Sequence, residues 1–136
     1  MFQLDLTSHK SIYEQVVDKF KELIMTDVLP CDAKLPSVRE LSGMLSVNPN
    51  TVQKAYRELE REGFCYSAAG RGTFVSDRSR IRPDSRRIEE IKKEIVASVM
   101  ALRYLGLTAE EAKSIAHSAI DGNISEYELQ RKESQI

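Results

Sequence analysis

The chain is 136 residues long, 41% hydrophobic and 30% charged, with no Trp and two Cys. That length holds one domain or two small ones and excludes a large α/β enzyme. Its 20 Lys and Arg against 21 Asp and Glu leave a net charge of −1, which excludes a protein that coats polyanions by bulk positive charge. It does not exclude one that gathers its basic residues on one face.

Residues 11–27 carry a helical period: Ile12, Val16, Phe20, Leu23 and Ile24 share one face, and Ser11 with Glu14 is a capping box at its start. Pro30 and Pro36, in LPCDAKLP, end that helix and predict an irregular connection. A second, short helix is expected from Ser37 to about Leu45, with Ser37 and Glu40 as a capping box and Val38, Leu41 and Leu45 as its apolar stripe. After the turn Ser46-Val47, Asn48 is a good N-cap and Pro49 suits the first helical position. The third helix is expected to run to about Glu62, burying Val52, Ala55, Tyr56 and Leu59, with Gly63 as its stop. FCYS and TFVS then read as two strands joined by AAGRG, a hairpin with a glycine-bearing turn.

Helix, helix, turn, helix and hairpin make a winged helix-turn-helix, expected over residues 1–76. Residues 77–87, DRSRIRPDSRR, have the composition of an Arg-rich linker. Beyond it, Ile88, Ile91, Ile95, Val99 and Leu102 recur at steps of three and four, a heptad-like seam closed by Gly106. Thr108 and Glu111 cap a last helix with Ala112, Ile115, Ala116, Ala119 and Ile120 on its apolar face. Asp121-Gly122-Asn123 is expected to stop it, leaving a polar, poorly ordered end. The fold class is therefore mainly α with a small β-hairpin, a winged helix-turn-helix followed by a short two-helix segment over residues 88–136. Two striped helices in so short a tail cannot bury both faces alone, so Ile88, Ile91, Ile95, Val99, Leu102, Ile115 and Ile120 are candidate homodimerisation residues. Packing against the first module is the alternative.

The chemistry lies on the third helix. Its buried set leaves Asn50, Thr51, Gln53, Lys54 and Arg57 pointing outward. Asn and Gln can bond adenine edges in pairs, Lys can reach guanine or phosphate, and Thr can touch phosphate or a thymine methyl. The acids Glu58, Glu60 and Glu62 collect at the far end, the polarity needed for entry into a major groove N-terminus first. A merely solvated face would mix its acids among the amides. Arg39 reads as a phosphate clamp or a surface ion-pair residue, and Arg71, between Gly70 and Gly72 at the hairpin tip, as a minor-groove or backbone contact. The linker residues Arg78, Arg80, Arg82, Arg86 and Arg87 read as a solvated linker or as further phosphate contacts.

KLPSVRELSGMLSVNPNTVQKAYRELEREG followed by GRGTFVS resembles the DNA-binding domain of the GntR family of bacterial transcription regulators, over roughly residues 10–76. The Asn-Pro-Asn-Thr-Val-Gln-Lys-Ala-Tyr version and the short tail resemble the YtrA-type branch. The resemblance implies DNA contacts at Ser37, Arg39, Asn48, Asn50, Thr51, Gln53, Lys54, Gly70, Arg71 and Gly72. It also implies a homodimer, a repressor's role and a transporter operon as target. Pro49 and Gln53 stand where many relatives carry Arg, so base preference does not transfer. Asp27 and Asp32 stand where Gly is frequent.

A small enzyme would need a carboxylate pair, a metal cluster, a phosphate loop or a nucleophile with its base, and none is recognisable. A protein-docking module would need apolar anchors on the third helix, where Asn50, Gln53 and Lys54 stand instead. Cys31, Cys65, His9 and His117 lack metal-ligand spacing and read as loop or core residues, so neither metal nor cofactor is expected. The start MFQLDLTSHKSIYEQ lacks the marks of an export signal, and no run reaches the roughly 18 apolar residues of a membrane span. The expectation is a cytoplasmic, sequence-specific regulator binding double-stranded DNA without catalysis. Any small effector would sit at a dimer interface or between modules.

Overall fold

A computed structural model of the chain describes residues 2–134, with side chains described as far as Gly122. Its elements are α1 (Ile12–Met25), α2 (Val38–Leu45), α3 (Pro49–Arg61), β1 (Cys65–Ala68), β2 (Gly72–Val75), a 3-10 turn (Arg78–Arg80), α4 (Ser85–Arg103) and α5 (Ala109–Ser134). They form two compact units that divide between Arg82 and Pro83.

The first unit is built by α1, α2 and α3 around Val16, Phe20, Leu41, Val52 and Leu59, each at most 2% exposed. Phe20 meets the Tyr56 ring edge-on at 5.5 Å, an arrangement aromatic pairs favour. Both expected capping boxes begin their helices as read: Ser11 Oγ accepts from the Glu14 N–H at 3.2 Å and Ser37 Oγ from the Glu40 N–H at 3.0 Å. β1 and β2 pair antiparallel, with Cys65 opposite Val75 and Ala68 opposite Gly72, so Ala69, Gly70 and Arg71 form the tip.

Residues 32–35, expected as irregular connection, lie along β2 through an isolated antiparallel bridge, Lys34 opposite Phe74. The Asp32 N–H donates to the Val75 carbonyl at 2.9 Å, and the Leu35 N–H to the Thr73 carbonyl at 2.8 Å. Asp27 and Asp32 adopt left-handed backbone, φ 60° and 67°. That explains why glycine suits these positions, and each Asp has use for its side chain: Asp27 pairs with Arg78 at 2.7 Å and Asp32 accepts from the Tyr66 hydroxyl at 2.7 Å.

Two boundaries differ from expectation. Residues 77–87 hold the 3-10 turn, capped by Asp77, and the first turn of α4, capped by Asp84 through the Arg86 and Arg87 N–H groups. And α5 does not stop at Asp121-Gly122-Asn123 but continues to Ser134. A glycine inside a helix costs only about 1 kcal/mol against Ala, and no proline follows to break the ladder. Residues 135 and 136, part of the end expected to be poorly ordered, lie outside the described residues.

In the second unit Ala112 is fully buried, and the capping box is reciprocal: Thr108 Oγ1 accepts from the Glu111 N–H at 3.2 Å while the Thr108 N–H donates to the Glu111 carboxylate at 3.4 Å. Among the described residues no helix is long and apolar enough to cross a membrane.

Candidate nucleic-acid interface

α3 starts where Asn48-Pro49 makes it start. Asn48 Oδ1 accepts from the Asn50 N–H at 2.8 Å, and Pro49 fills the first position without an N–H to leave unpaired. That carbonyl is therefore engaged, and Asn48 presents outward its amide N–H groups. Val52, Ala55, Tyr56 and Leu59 turn inward, which leaves Asn50, Gln53, Lys54 and Arg57 exposed and Thr51 half-buried. No acid stands in the first turn.

The acids at the other end are occupied. Glu58 accepts from Arg61 Nε at 2.9 Å, and this bond holds its carboxyl below the ordinary range. Glu62 pairs with Lys21 of α1 at 2.9 Å, and Glu60 accepts from the Ser67 N–H and hydroxyl of β1 at 3.3 and 3.2 Å. Glu62 thus ties α3 to α1 and Glu60 ties it to the wing, and with Glu58 held by Arg61 the three present little free negative charge to a ligand. By contrast, Arg39, Arg57 and Arg71 are exposed and make no ion pair among the described residues.

Ser37 and Arg39 are set beside α3 by one half-buried bond. The Tyr56 hydroxyl donates to the Pro36 carbonyl at 2.6 Å, fixing the start of α2 against the middle of α3. Burial pushes the Tyr56 phenol above its ordinary value, so it remains a donor at every physiological pH. Ser37 Oγ accepts its capping bond and keeps its proton to give. Gly70, Arg71 and Gly72 are exposed at the wing tip, with Gly70 and Gly72 at φ 74° and 121°. The left-handed geometry at Gly70 and the unusual one at Gly72 are open to glycine and strained for other residues.

Two residues of this surface escape a reading by motif. Lys34, bridged to Phe74 of β2, passes so near Gly72 that a Cβ there would stand 2.9 Å from its Cε, adding an exposed cation at the wing. Its signal was its place as the first residue of KLPSVREL, obscured by an apparently irregular segment. Tyr13 of α1 lies under Lys54, whose Nζ is 4.4 Å from the ring centroid. A contact across forty-one positions leaves no local trace.

The linker arginines are largely spent within the protein. Arg78 donates to the Met25 carbonyl at 2.9 Å and pairs with Asp27, while Arg87 pairs with Glu90 and Glu94 at 3.1 and 3.2 Å and Arg86 with Glu90 at 3.8 Å. Arg80 and Arg82 lie near Gly63 and Cys65, at the root of the wing and away from its tip. In the second unit, Ile91, Ile95, Val99, Leu102, Ile115 and Ile120 line one open apolar groove of about 590 Å³ between α4 and α5. Ile88, 44% exposed, stands one turn before it. Among the described residues no group of His, Cys, Asp or Glu is arranged to hold a metal.

Residues 12–75 match the bacterial regulatory proteins of the gntR family. Over 111 residues the chain is 39% identical to the HTH-type transcriptional repressor YtrA of Bacillus subtilis (strain 168), covering 82% of this chain and 85% of that one. The chain belongs to the GntR family, among its YtrA-type regulators. Solved structures extend the likeness to this GntR architecture as a whole. A transcriptional antiterminator from Listeria monocytogenes EGD-e superposes with a TM-score of 0.71 at 35% identity, over 88% of this chain and 89% of that one. YtrA from Sulfolobus acidocaldarius, a GntR-family transcription factor, gives 0.59 at 37% identity over 71% and 98%. Members of the GntR family are DNA-binding transcription regulators, and the family match falls on the winged helix-turn-helix of this chain.

Proposed function

We propose that this GntR-family chain is a non-catalytic, sequence-specific transcriptional repressor that binds a two-fold symmetric operator as a cytoplasmic homodimer. The observation that carries the reading is the first half of α3: amides and cations exposed, no acid in the first turn, and the later acids tied up in the fold. Asn50 and Gln53 suit adenine edges, while Ser37, Arg39, Arg57 and the wing tip at Gly70, Arg71 and Gly72 suit the sugar–phosphate backbone. The paired subunits would meet through the α4–α5 groove, where Ile91, Ile95, Ile115 and Ile120 remain 40–54% exposed among the described residues. With a net charge of −1 the protein should hold non-operator DNA weakly, and specific contacts must then decide where it sits. The resemblance to short relatives makes a transporter operon the proposed target.

The test is DNase footprinting across the DNA upstream of its own gene. We expect one protected, two-fold symmetric site, lost in the double variant N50A/Q53A at unchanged helix content. Adding the protein to in vitro transcription from that promoter should lower the yield. Protection without sequence preference, or a rise in transcript, would overturn the corresponding part of the proposal.

A further inference from the structure

We propose that Lys54 is a backbone-phosphate clamp set in place by Tyr13, so that base reading falls to the other edge of α3, at Gln53. This rests on the DNA-binding reading above and divides the labour within it.

Three observations support the division. The first is position. One turn beyond Lys54 on α3 lies Glu58, whose charge acts on Tyr13, and a further turn on lies Glu62, which is paired with Lys21 of α1. These spacings put Lys54, Glu58 and Glu62 along the edge that faces α1. Gln53 and Glu60, seven residues apart, share the other edge, and Glu60 there bonds Ser67 of the wing. The second is the ring. Lys54 Nζ sits 4.4 Å from the Tyr13 centroid, within the range of a cation–π contact, which draws the ammonium toward α1 and off the central line of the helix. The third is charge. Glu58 is the i+4 partner that would ordinarily neutralise Lys54, but it is held by Arg61 at 2.9 Å. Among the described residues Lys54 has no ion pair, and the Tyr13 hydroxyl has no hydrogen-bond partner.

An unneutralised ammonium beside a phenol with a proton to give is a donor pair suited to one phosphate group. A lysine ammonium is a point charge with freely rotating donors, good for phosphate and poor at the two-point recognition that reads a base pair. Tyr13 is thus a positioning residue for Lys54 and a second donor at the same place, outside the helix-turn-helix.

The experiment uses fluorescence anisotropy of the full chain on the footprinted operator and on duplexes carrying each single base change, from about 50 to 200 mM salt, the range where phosphate contacts are read. Lys54→Met should weaken binding by the same factor, about three- to tenfold, on every duplex and reduce the magnitude of the salt slope by about one. Loss confined to duplexes differing at one base pair would make Lys54 a base reader and overturn the proposal. Tyr13→Leu should reproduce most of the reduction in slope, with Lys54→Met adding little in that background, whereas Tyr13→Phe keeps the ring and the slope. Tyr13→Leu with wild-type slope and affinity would overturn the positioning role. If circular dichroism shows that Leu unfolds the protein, Tyr13→Met carries the same two expectations, and the Lys54→Met arm decides the clamp independently. Failure of the underlying DNA-binding reading is distinguishable, because the unmodified protein would then show no preference among the duplexes at all.

Discussion

Gly63→Ala is expected to cost this protein several times what a turn glycine ordinarily costs. Gly63 ends α3 at φ 87°, and a Cβ there would stand 1.9 Å from the Arg80 carbonyl oxygen and 2.6 Å from its carbon. No side-chain rotation relieves a clash with backbone, so residues 78–82 must leave. Leaving breaks the Arg82 N–H bond to the Glu62 carbonyl and the Arg78 bond to the Met25 carbonyl, both 2.9 Å, each worth about 1 kcal/mol. It also strips the packing of half-buried Ile81 against the core, about 1 kcal/mol more. The exposed Arg78–Asp27 pair adds a few tenths. Left-handed backbone with a Cβ adds about 1–2 kcal/mol whichever way the clash is resolved. The sum is about 4–5 kcal/mol. Gly70→Ala supplies the control, since Gly70 has φ 74° but nothing within 4 Å of the new methyl, leaving about 1–2 kcal/mol of strain alone. Urea unfolding followed by circular dichroism measures both. With an m value of about 1.5 kcal/mol/M, the two midpoints should differ by about 2 M. Equal midpoints would refute the seating of residues 78–82 against Gly63.

Three other outcomes follow from the geometry. Tyr56→Phe removes the donor to the Pro36 carbonyl and should lower stability by about 1–2 kcal/mol in urea unfolding, and it should weaken operator binding because the start of α2 loses its anchor on α3. Ile95→Asp places a charge in the apolar α4–α5 groove and should turn the proposed dimer into a monomer by analytical ultracentrifugation, with the helix content of the first unit kept. The thiol of buried Cys65 is pushed by burial up to about 12 from an ordinary 9.0, so the unfolded chain ionises first: the stability this contributes is whole below about pH 9 and declines as pH rises from there toward 12. Urea midpoints at pH 8 and 10 should therefore fall in the native sequence and fall less in Cys65→Ala.

Local signals survived the passage from sequence to structure. The capping boxes at Ser11, Ser37 and Thr108 and the Asn48-Pro49 start of α3 involve residues two to three positions apart, and each helix begins where they indicate. The split of α3 into buried and exposed faces was equally legible, because a helical period needs only the helix's own residues. What escaped was long-range or masked. The bridge of Lys34 to Phe74 exists only because β2 lies beside residues 32–35. The start of α4 at Ser85 has a cap in Asp84, but neighbouring arginines gave the segment a linker's composition. Gly122 looked like a stop and is carried inside α5. The Tyr13–Lys54 contact and the spending of Arg78 on Asp27 required knowing which helices are neighbours.

The fastening of residues 78–82 also sets a length. Arg82 is bonded to Glu62, and α4 begins at Ser85, so Pro83 and the capping Asp84 are all the chain that separates the two compact units. A tether of that size spans at most about 10 Å, and its proline has a fixed φ. In the proposed pair, each recognition helix is thus on a short leash from the dimerising helices, and the protein becomes a ruler as well as a reader. One base pair inserted between half-sites turns the second by about 34° around the duplex axis. If the proposed dimer holds, such an operator should keep every contacted base and still bind more weakly, which would make spacing part of the recognised message.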